Sequence, residues 1–353
     1  MPIYYFQGGK MRIVLDAMGS DNRPVPDVAG GVTAAREWGD EIILVGPEEA
    51  VRAELARHDG ADLPLSVVHA PEVIGMHEHT SAVKGKKEAS IRVGMRMVRA
   101  GEAEAFVSAG NTTAVLASAI FDLGRIRGIR RPALATIYPV ADTPVLLLDN
   151  GATADCKPEY LLQFAHMGVA YVEQVWGIAN PRVGLVSNGE EPDKGNMLVR
   201  DTYAVLAQSG LNFVGNVEPK EVTRGVADVV LTDGFTGNVM IKTTEAVASF
   251  LFRYLRRELT GGSLNKVGLA LMLPGLLAML PGLALLVPSF SRAARRLDYA
   301  EYGGALLMGV DGVVVVGHGR SNAKAVKNAI GQARRAVEGG VLDVIRAGVA
   351  RAG

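Results

Sequence analysis

Arg12-Ile13-Val14-Leu15-Asp16-Ala17-Met18-Gly19-Ser20-Asp21 is the stretch that decides the fold. Three consecutive apolar residues, two of them β-branched, end on an acid, and a glycine-bearing polar turn follows. A strand with no polar alternation must be covered on both faces, which is the condition of strands in a parallel sheet flanked by helices. The carboxyl end of such a strand is where these sheets bind ligands.

The same signature recurs outward from it. Short apolar runs predict strands at Ile42–Val45, Leu65–His69, Ala105–Ser108, Leu134–Tyr138, Val145–Asp149, Arg182–Ser187, Asp228–Leu231 and Val313–Val316. Helical spacing predicts helices over Val28–Trp38, Ser90–Ala100, Glu159–Val175, Met197–Gln208, Glu245–Leu259 and Ala323–Glu338. Alternation of strands and helices gives an α/β protein, a three-layer α/β/α doubly wound, mostly parallel sheet. Polar turns follow six of the strands: Asp16–Asp21, Ser108–Thr113, Asp149–Ala152, Ser187–Glu191, Asp233–Asn238 and Gly317–Ser321. One such turn is ordinary capping chemistry. Six on one rim of the sheet predict a cleft for a polar, anionic ligand, because helix-start N–H groups favour anions. No G-x-G-x-x-G follows the first strand and no G-x-x-x-x-G-K-[ST] occurs, which argues against NAD and ATP sites.

Composition narrows the function further. Lys plus Arg balance Asp plus Glu at 37 each among 353 residues, so nonspecific nucleic-acid binding is not expected. Cys156 is the single cysteine, which excludes an intramolecular disulfide and cysteine-based zinc. Met1–Lys10 reads as the remnant of a cleavable tag, leaving residues 11–353 as a single α/β domain. An acid within six residues of Met11 speaks against a signal peptide and for the cytoplasm.

One segment departs from this pattern. Val267–Ser291 holds 25 consecutive uncharged residues, with Pro274, Pro281 and Pro288 spaced every seven. About 20 apolar residues suffice to span a bilayer, but each interior proline costs a helix about 3 kcal/mol. The segment therefore predicts a protruding, broken, apolar helical excursion at about 260–298 that contacts a membrane surface, through Leu276, Leu277, Leu280 and Leu283. Arg253, Arg256, Arg257, Arg292, Arg295 and Arg296 flank it and suit an anionic surface. A dimer interface or a buried hairpin would also account for it.

Taken together, the turns resemble the bacterial phosphate acyltransferase family, the PlsX type. The resemblance is carried in order by Asp16-Ala17-Met18-Gly19, Ser108-Ala109-Gly110-Asn111-Thr112, Arg131–Ala135, Asp155-Cys156-Lys157-Pro158-Glu159, Gly189-Glu190-Glu191, Lys194-Gly195, Gly215-Asn216, Thr232–Asn238, Tyr302–Ala305 and Gly317-His318-Gly319. Ser20 stands where that family has glycine, and Thr153-Ala154 replaces its Asn-Val. The resemblance implies a fold like the isopropylmalate dehydrogenase and phosphate acetyltransferase group. It implies acyl transfer from acyl carrier protein to inorganic phosphate without a cofactor. It also implies a homodimer, peripheral on the cytoplasmic membrane face, that supplies a glycerol-3-phosphate acyltransferase for phospholipid synthesis.

That chemistry needs positioning and charge stabilisation rather than a protein nucleophile. Within the resemblance, Lys194 and Asn238 are the expected catalytic pair; without it, Lys194 is a solvated loop lysine and Asn238 a turn or N-cap residue. Asp16, Gly19, Ser108, Gly110, Asn111, Thr112, Asp233, Gly237 and His318 are the expected phosphate and substrate contacts. Lys84, Lys86, Lys87, Arg92, Arg96 and Arg99 form a basic face suited to an acidic carrier. Cys156 is expected to be a small buried residue. His77 and His79 have metal-like spacing without further ligands, so no metal is expected. The rival readings are a short-chain acyl-CoA:phosphate transferase, a metal- and NAD-dependent dehydrogenase of similar fold, and a non-enzymatic lipid-binding module.

Overall fold

The structure is a computed structural model that describes residues 10–138, 144–260 and 299–352, together with positions 262, 271, 275, 279, 282 and 285–288. Met1–Gly9 and the leucines 276, 277, 280 and 283 lie outside the described residues.

Eleven strands make one continuous sheet: β1 Arg12–Asp16, β2 Glu41–Gly46, β3 Leu65–His69, β4 Ala105–Ser108, β5 Ala133–Tyr138, β6 Val145–Leu148, β7 Val183–Val186, β8 Phe213–Val217, β9 Val229–Leu231, β10 Ala305–Met308 and β11 Val313–Val316. Their spatial order is β3-β2-β1-β4-β11-β10-β5-β6-β9-β7-β8. Successive residues of β1 serve opposite faces, Ile13 and Leu15 in one core and Val14 in the other, as pleating dictates. Helices α1 Val25–Trp38, α2 Glu48–Leu55, α3 Ser81–Gly85, α4 Ser90–Arg99, α5 Thr112–Ser118, α6 Pro158–Trp176, α7 Met197–Ala207, α8 Pro219–Val222, α9 Gly234–Thr260, α10 Tyr299–Tyr302, α11 Ala323–Glu338 and α12 Val341–Ala352 join them. Helices α1, α6 and α11 bury their apolar residues in the first core, α4 and α5 in the second. The architecture is therefore the three-layer α/β/α sheet that the apolar strands imply.

Two features correct the sequence reading. The first is strand polarity. β10 runs antiparallel to both β11 and β5, and β5 runs antiparallel to β6, while the remaining pairs are parallel. Strands β6, β9, β7 and β8 consequently point opposite to β3, β2, β1, β4 and β11. The turns after β1, β4 and β11 leave one edge of the sheet, and those after β6, β7 and β9 leave the other, so six turns do not share one rim. The second is α9, which begins at Gly234 rather than Glu245 and runs for 27 residues. At 1.5 Å per residue it is about 40 Å long.

No helix among the described residues is long and apolar enough to cross a membrane.

Candidate active site

At the first edge, three turns meet. Asp16, at the end of β1, is fully buried; its Oδ1 accepts the Met18 N–H at 3.1 Å and its Oδ2 accepts the Ser108 hydroxyl at 2.7 Å. Ser108 Oγ in turn accepts the Gly110 N–H at 3.0 Å. Burial pushes the Asp16 carboxyl above its usual range, against the pull of the Ser108 hydrogen bond. Gly19 lies so close to the β4 turn that a Cβ there would meet the Ala109 nitrogen at 2.8 Å. Only glycine lets the two backbones approach. The β11 turn joins them through the Gly317 N–H, which donates to the Ser108 carbonyl at 2.8 Å.

Asn111 has a different task from that of a free donor. Its Oδ1 caps α5 by accepting the Thr113 and Ala114 N–H groups, and its amide donates to the Met76 and Glu78 carbonyls at 3.1 and 3.0 Å. The side chain thus pins the 75–78 loop over the turn, and Thr112 beside it is exposed. Above Asp16, Ser20 donates its hydroxyl to Asp27, whose burial raises its pKa to about 8.

At the opposite edge, Asp149 organises the turn after β6. One carboxylate oxygen accepts the N–H groups of Leu134, Gly151 and Ala152, and the other accepts that of Thr153 at 2.6 Å. Burial still raises its pKa to about 6. Helix α9 starts against this turn: a Cβ on Gly234 would lie 2.7 Å from Asp149 Oδ2, and one on Gly237 would collide with the Asp149 carbonyl. Asp233 caps the helix by accepting the Thr236 N–H at 2.8 Å and hydroxyl at 2.7 Å. Asn238 is therefore not the cap. It is exposed on the helix, and a Cβ on Gly151 would lie 3.2 Å from its amide nitrogen.

The helix links the two edges. Lys242, one turn beyond Asn238 and about 6 Å along the same face, places Nζ 3.3 Å from His318 Nε2. Sequence reasoning missed Lys242 because it ended the loop too late; its only local signal was its i+4 spacing from Asn238. His318 Nδ1 lies 3.2 Å from the Arg320 nitrogen. An ammonium can only donate, so in its contact with Lys242 the His318 Nε2 is the acceptor. Burial, then the Lys242 charge, hold His318 below its ordinary pKa and keep it neutral near pH 7. The Lys242 ammonium also donates to Glu245 at 3.1 Å, and the charge it carries suits an anion.

Lys194 stands on an exposed loop between β7 and α7, and no hydrogen bond among the described residues links it to Asn238. Its stem packs on Gly189, where a Cβ would meet Lys194 Cγ at 2.8 Å. Cys156 is half-buried, donates to the Thr153 carbonyl, and has its thiol pushed up to about 12 by burial, so it offers little thiolate. Half of the basic face is paired internally: Lys86 pairs with Glu78, Arg92 with Asp122 and Arg96 with Glu88, while Lys84, Lys87 and Arg99 are exposed. Among the described residues the one carboxylate cluster is Glu190, Glu218 and Glu221, and the latter two are engaged in the capping box of α8.

A phosphotransacetylase from Streptococcus pyogenes superposes with a TM-score of 0.58 at 17% sequence identity, covering 94% of this chain and 95% of its own, which shows the shared fold. The phosphate acyltransferase of Herpetosiphon aurantiacus is 50% identical over 95% of this chain and 96% of its own length. That of Geobacter sulfurreducens is 46% identical over 94% and 92%. Residues 11–344 match the family model described as fatty acid synthesis protein, and with identity at this level along almost its whole length the chain belongs to that family.

Proposed function

We propose that the chain takes a fatty acyl group from acyl carrier protein and transfers it to inorganic phosphate, working as a homodimer at a membrane surface. Transfer of an acyl group to phosphate follows from the family, since relatives about half identical along nearly the full length are phosphate acyltransferases. The observation that carries the chemical reading is α9, which presents Asn238 and Lys242 on one face while its start is fixed by Asp149 and its third turn meets His318.

In this reading phosphate is the nucleophile. One of its oxygens attacks the thioester carbonyl carbon, the C–S bond breaks, and the thiolate leaves and takes up a proton. Lys242, held in place by its hydrogen bond to His318, binds the phosphate. The Asn238 amide and the Lys194 ammonium stabilise the oxyanion that forms at the carbonyl. Such donors are worth about 3–4 kcal/mol each where water is excluded. The Asp16–Ser108 pair and Gly19, Gly110 and Gly237 set the backbone around them, with Asn111, Thr112 and Asp233 shaping the helix starts. No side chain needs to carry the acyl group, which agrees with the raised Cys156 thiol.

The membrane and dimer parts rest on exposed apolar surface. Val247, Phe250, Leu251, Tyr254 and Leu255 form a stripe at helical spacing on the far half of α9, and Leu271, Met279, Leu285, Leu286 and Val287 are exposed beyond it. Apolar surface of this extent marks a contact with lipid or protein. Its position on the helix that ends the cleft would bring a lipid-bound product near its next user.

The test is to incubate the purified protein with labelled phosphate and either palmitoyl-acyl carrier protein or palmitoyl-CoA, without metal or nucleotide. Hydroxylamine-sensitive acyl phosphate formed from the carrier protein supports the reading. Product from CoA alone would assign the soluble donor, and product from neither would remove the enzymatic reading.

A further inference from the structure

A cavity of about 430 Å³ opens at the carboxyl ends of β7 and β9, beside the turn that carries Lys194. Its exposed walls are mostly apolar, with Leu161, Leu185, Val186, Leu198 and Val199 among the lining residues. Polar groups gather where the strands end: Ser187, Asn188, Asp233 and Thr236. None of them offers a free charge. The Asp233 carboxylate is spent on the Thr236 N–H and hydroxyl, and no Lys or Arg lines the space. Ser187 Oγ is buried and has no hydrogen-bond partner among the described residues.

We propose that this cavity receives the hydrocarbon chain of the acyl donor, with the carbonyl end at its polar mouth next to Ser187 and the Lys194 loop. The inference rests on the acyl-transfer reading and adds to it the place and size of the chain site. A lining without Lys or Arg but with the Asp233 carboxylate argues against phosphate here, and apolar walls with a few polar groups at one end are what a neutral chain with a polar head requires. The space is larger than an acetyl group needs and suits a longer hydrocarbon chain. The unpartnered Ser187 hydroxyl then has an acceptor in the bound carbonyl. Gly195, whose positive φ turns the Lys194 loop back over Val199, shapes the cavity edge.

Leu198 lies on the first turn of α7 and is only partly buried, so it can be changed without disturbing the sheet. The experiment compares kcat/KM for octanoyl, myristoyl and palmitoyl thioesters of the carrier in the wild type, Leu198→Trp and Leu198→Ala. A parallel calorimetric titration with a long-chain fatty alcohol reads binding without turnover. Leu198→Trp should lower the palmitoyl-to-octanoyl ratio at least tenfold and weaken alcohol binding equally, and Leu198→Ala should move the optimum to longer chains. Folding is checked by the thermal unfolding midpoint; should the tryptophan variant fail to fold, the alanine variant carries the test alone. An unchanged chain-length ratio and unchanged alcohol affinity in folded variants would overturn the proposal. Alcohol binding that responds to Leu198 in a protein that forms no acyl phosphate would keep the chain site while removing the acyl-transfer reading.

Discussion

Asp16 and Asp149 hold the same place in the two halves of the sheet, each closing an apolar strand and each with no solvent exposure. Their partners differ. Asp149 is saturated by four backbone N–H groups and locks the start of β5, its own turn and the seat of α9. Asp16 accepts one backbone N–H and one serine hydroxyl, and Ser108 passes its hydrogen bond on to the Gly110 N–H. A strand ending in Asp and followed by glycine therefore serves two purposes in one molecule. In one half it fixes architecture through backbone donors, and in the other it ties two turns together through a buried serine hydroxyl.

Removing the two carboxylates separates these purposes. Asp149→Ala strands four buried donors, at about 1–3 kcal/mol each, and should cost more than about 4 kcal/mol in urea unfolding or abolish folding. Asp16→Ala should cost about 1–3 kcal/mol and retain the fold. Equal losses would break the comparison.

The helix that leans on Asp149 gives the next effect. Asn238→Ala and Lys194→Ala should each lower kcat by about 10²–10³ with the urea midpoint unchanged, because both side chains are exposed. Wild-type turnover at saturating substrates would take that residue out of the site.

A smaller change sharpens the link between the edges. Lys242→Met should raise KM for phosphate about tenfold, equivalent to about 1.4 kcal/mol, and the His318 pKa should rise toward its ordinary value as the neighbouring cation is lost. Proton NMR of the ring reads the second outcome, with Glu245, Arg320 and Asp21 as the charges that remain near it. An unmoved histidine would dissolve the link.

Asp27 sharpens the acidic side of the first edge. Burial raises its pKa to about 8 from 3.8. The folded state thus binds this proton more tightly than the unfolded state, and the associated stability is full below pH 3.8 and lost as pH rises through about 8. Asp27→Asn should therefore gain a few degrees in Tm on the wild type between pH 4 and pH 8 and hold that gain above it. A constant difference across the range would deny the shift. Least of all, Cys156→Ala should leave turnover within about twofold, since exchanging a small, half-buried side chain is mild.

Sequence carried much of the fold and less of its direction. Strands such as Arg12–Asp16, Leu65–His69, Ala105–Ser108 and Val313–Val316 were legible because each is an uninterrupted or nearly uninterrupted apolar run closed by a polar turn. β8 was not, because Gly215, at positive φ, and Asn216 break its pattern. β10 was hidden between Gly303-Gly304 and Gly309 as a four-residue piece. Neither composition nor spacing states whether neighbouring strands are parallel, so the reversal at β10 and β6 had no signature. Asp16, Ser108 and Asp233 were found as strand-end residues. Lys242 was not, since its partner His318 lies 76 residues away and the helix was taken to begin at Glu245.

The central claim is that phosphate itself attacks the thioester while the protein only positions it. Its most direct test is intact-mass spectrometry of the protein after exposure to palmitoyl-acyl carrier protein, first without phosphate and then with it. The account predicts an unmodified protein in both samples and hydroxylamine-sensitive acyl phosphate only in the second. A protein carrying a palmitoyl group that phosphate then discharges would contradict it.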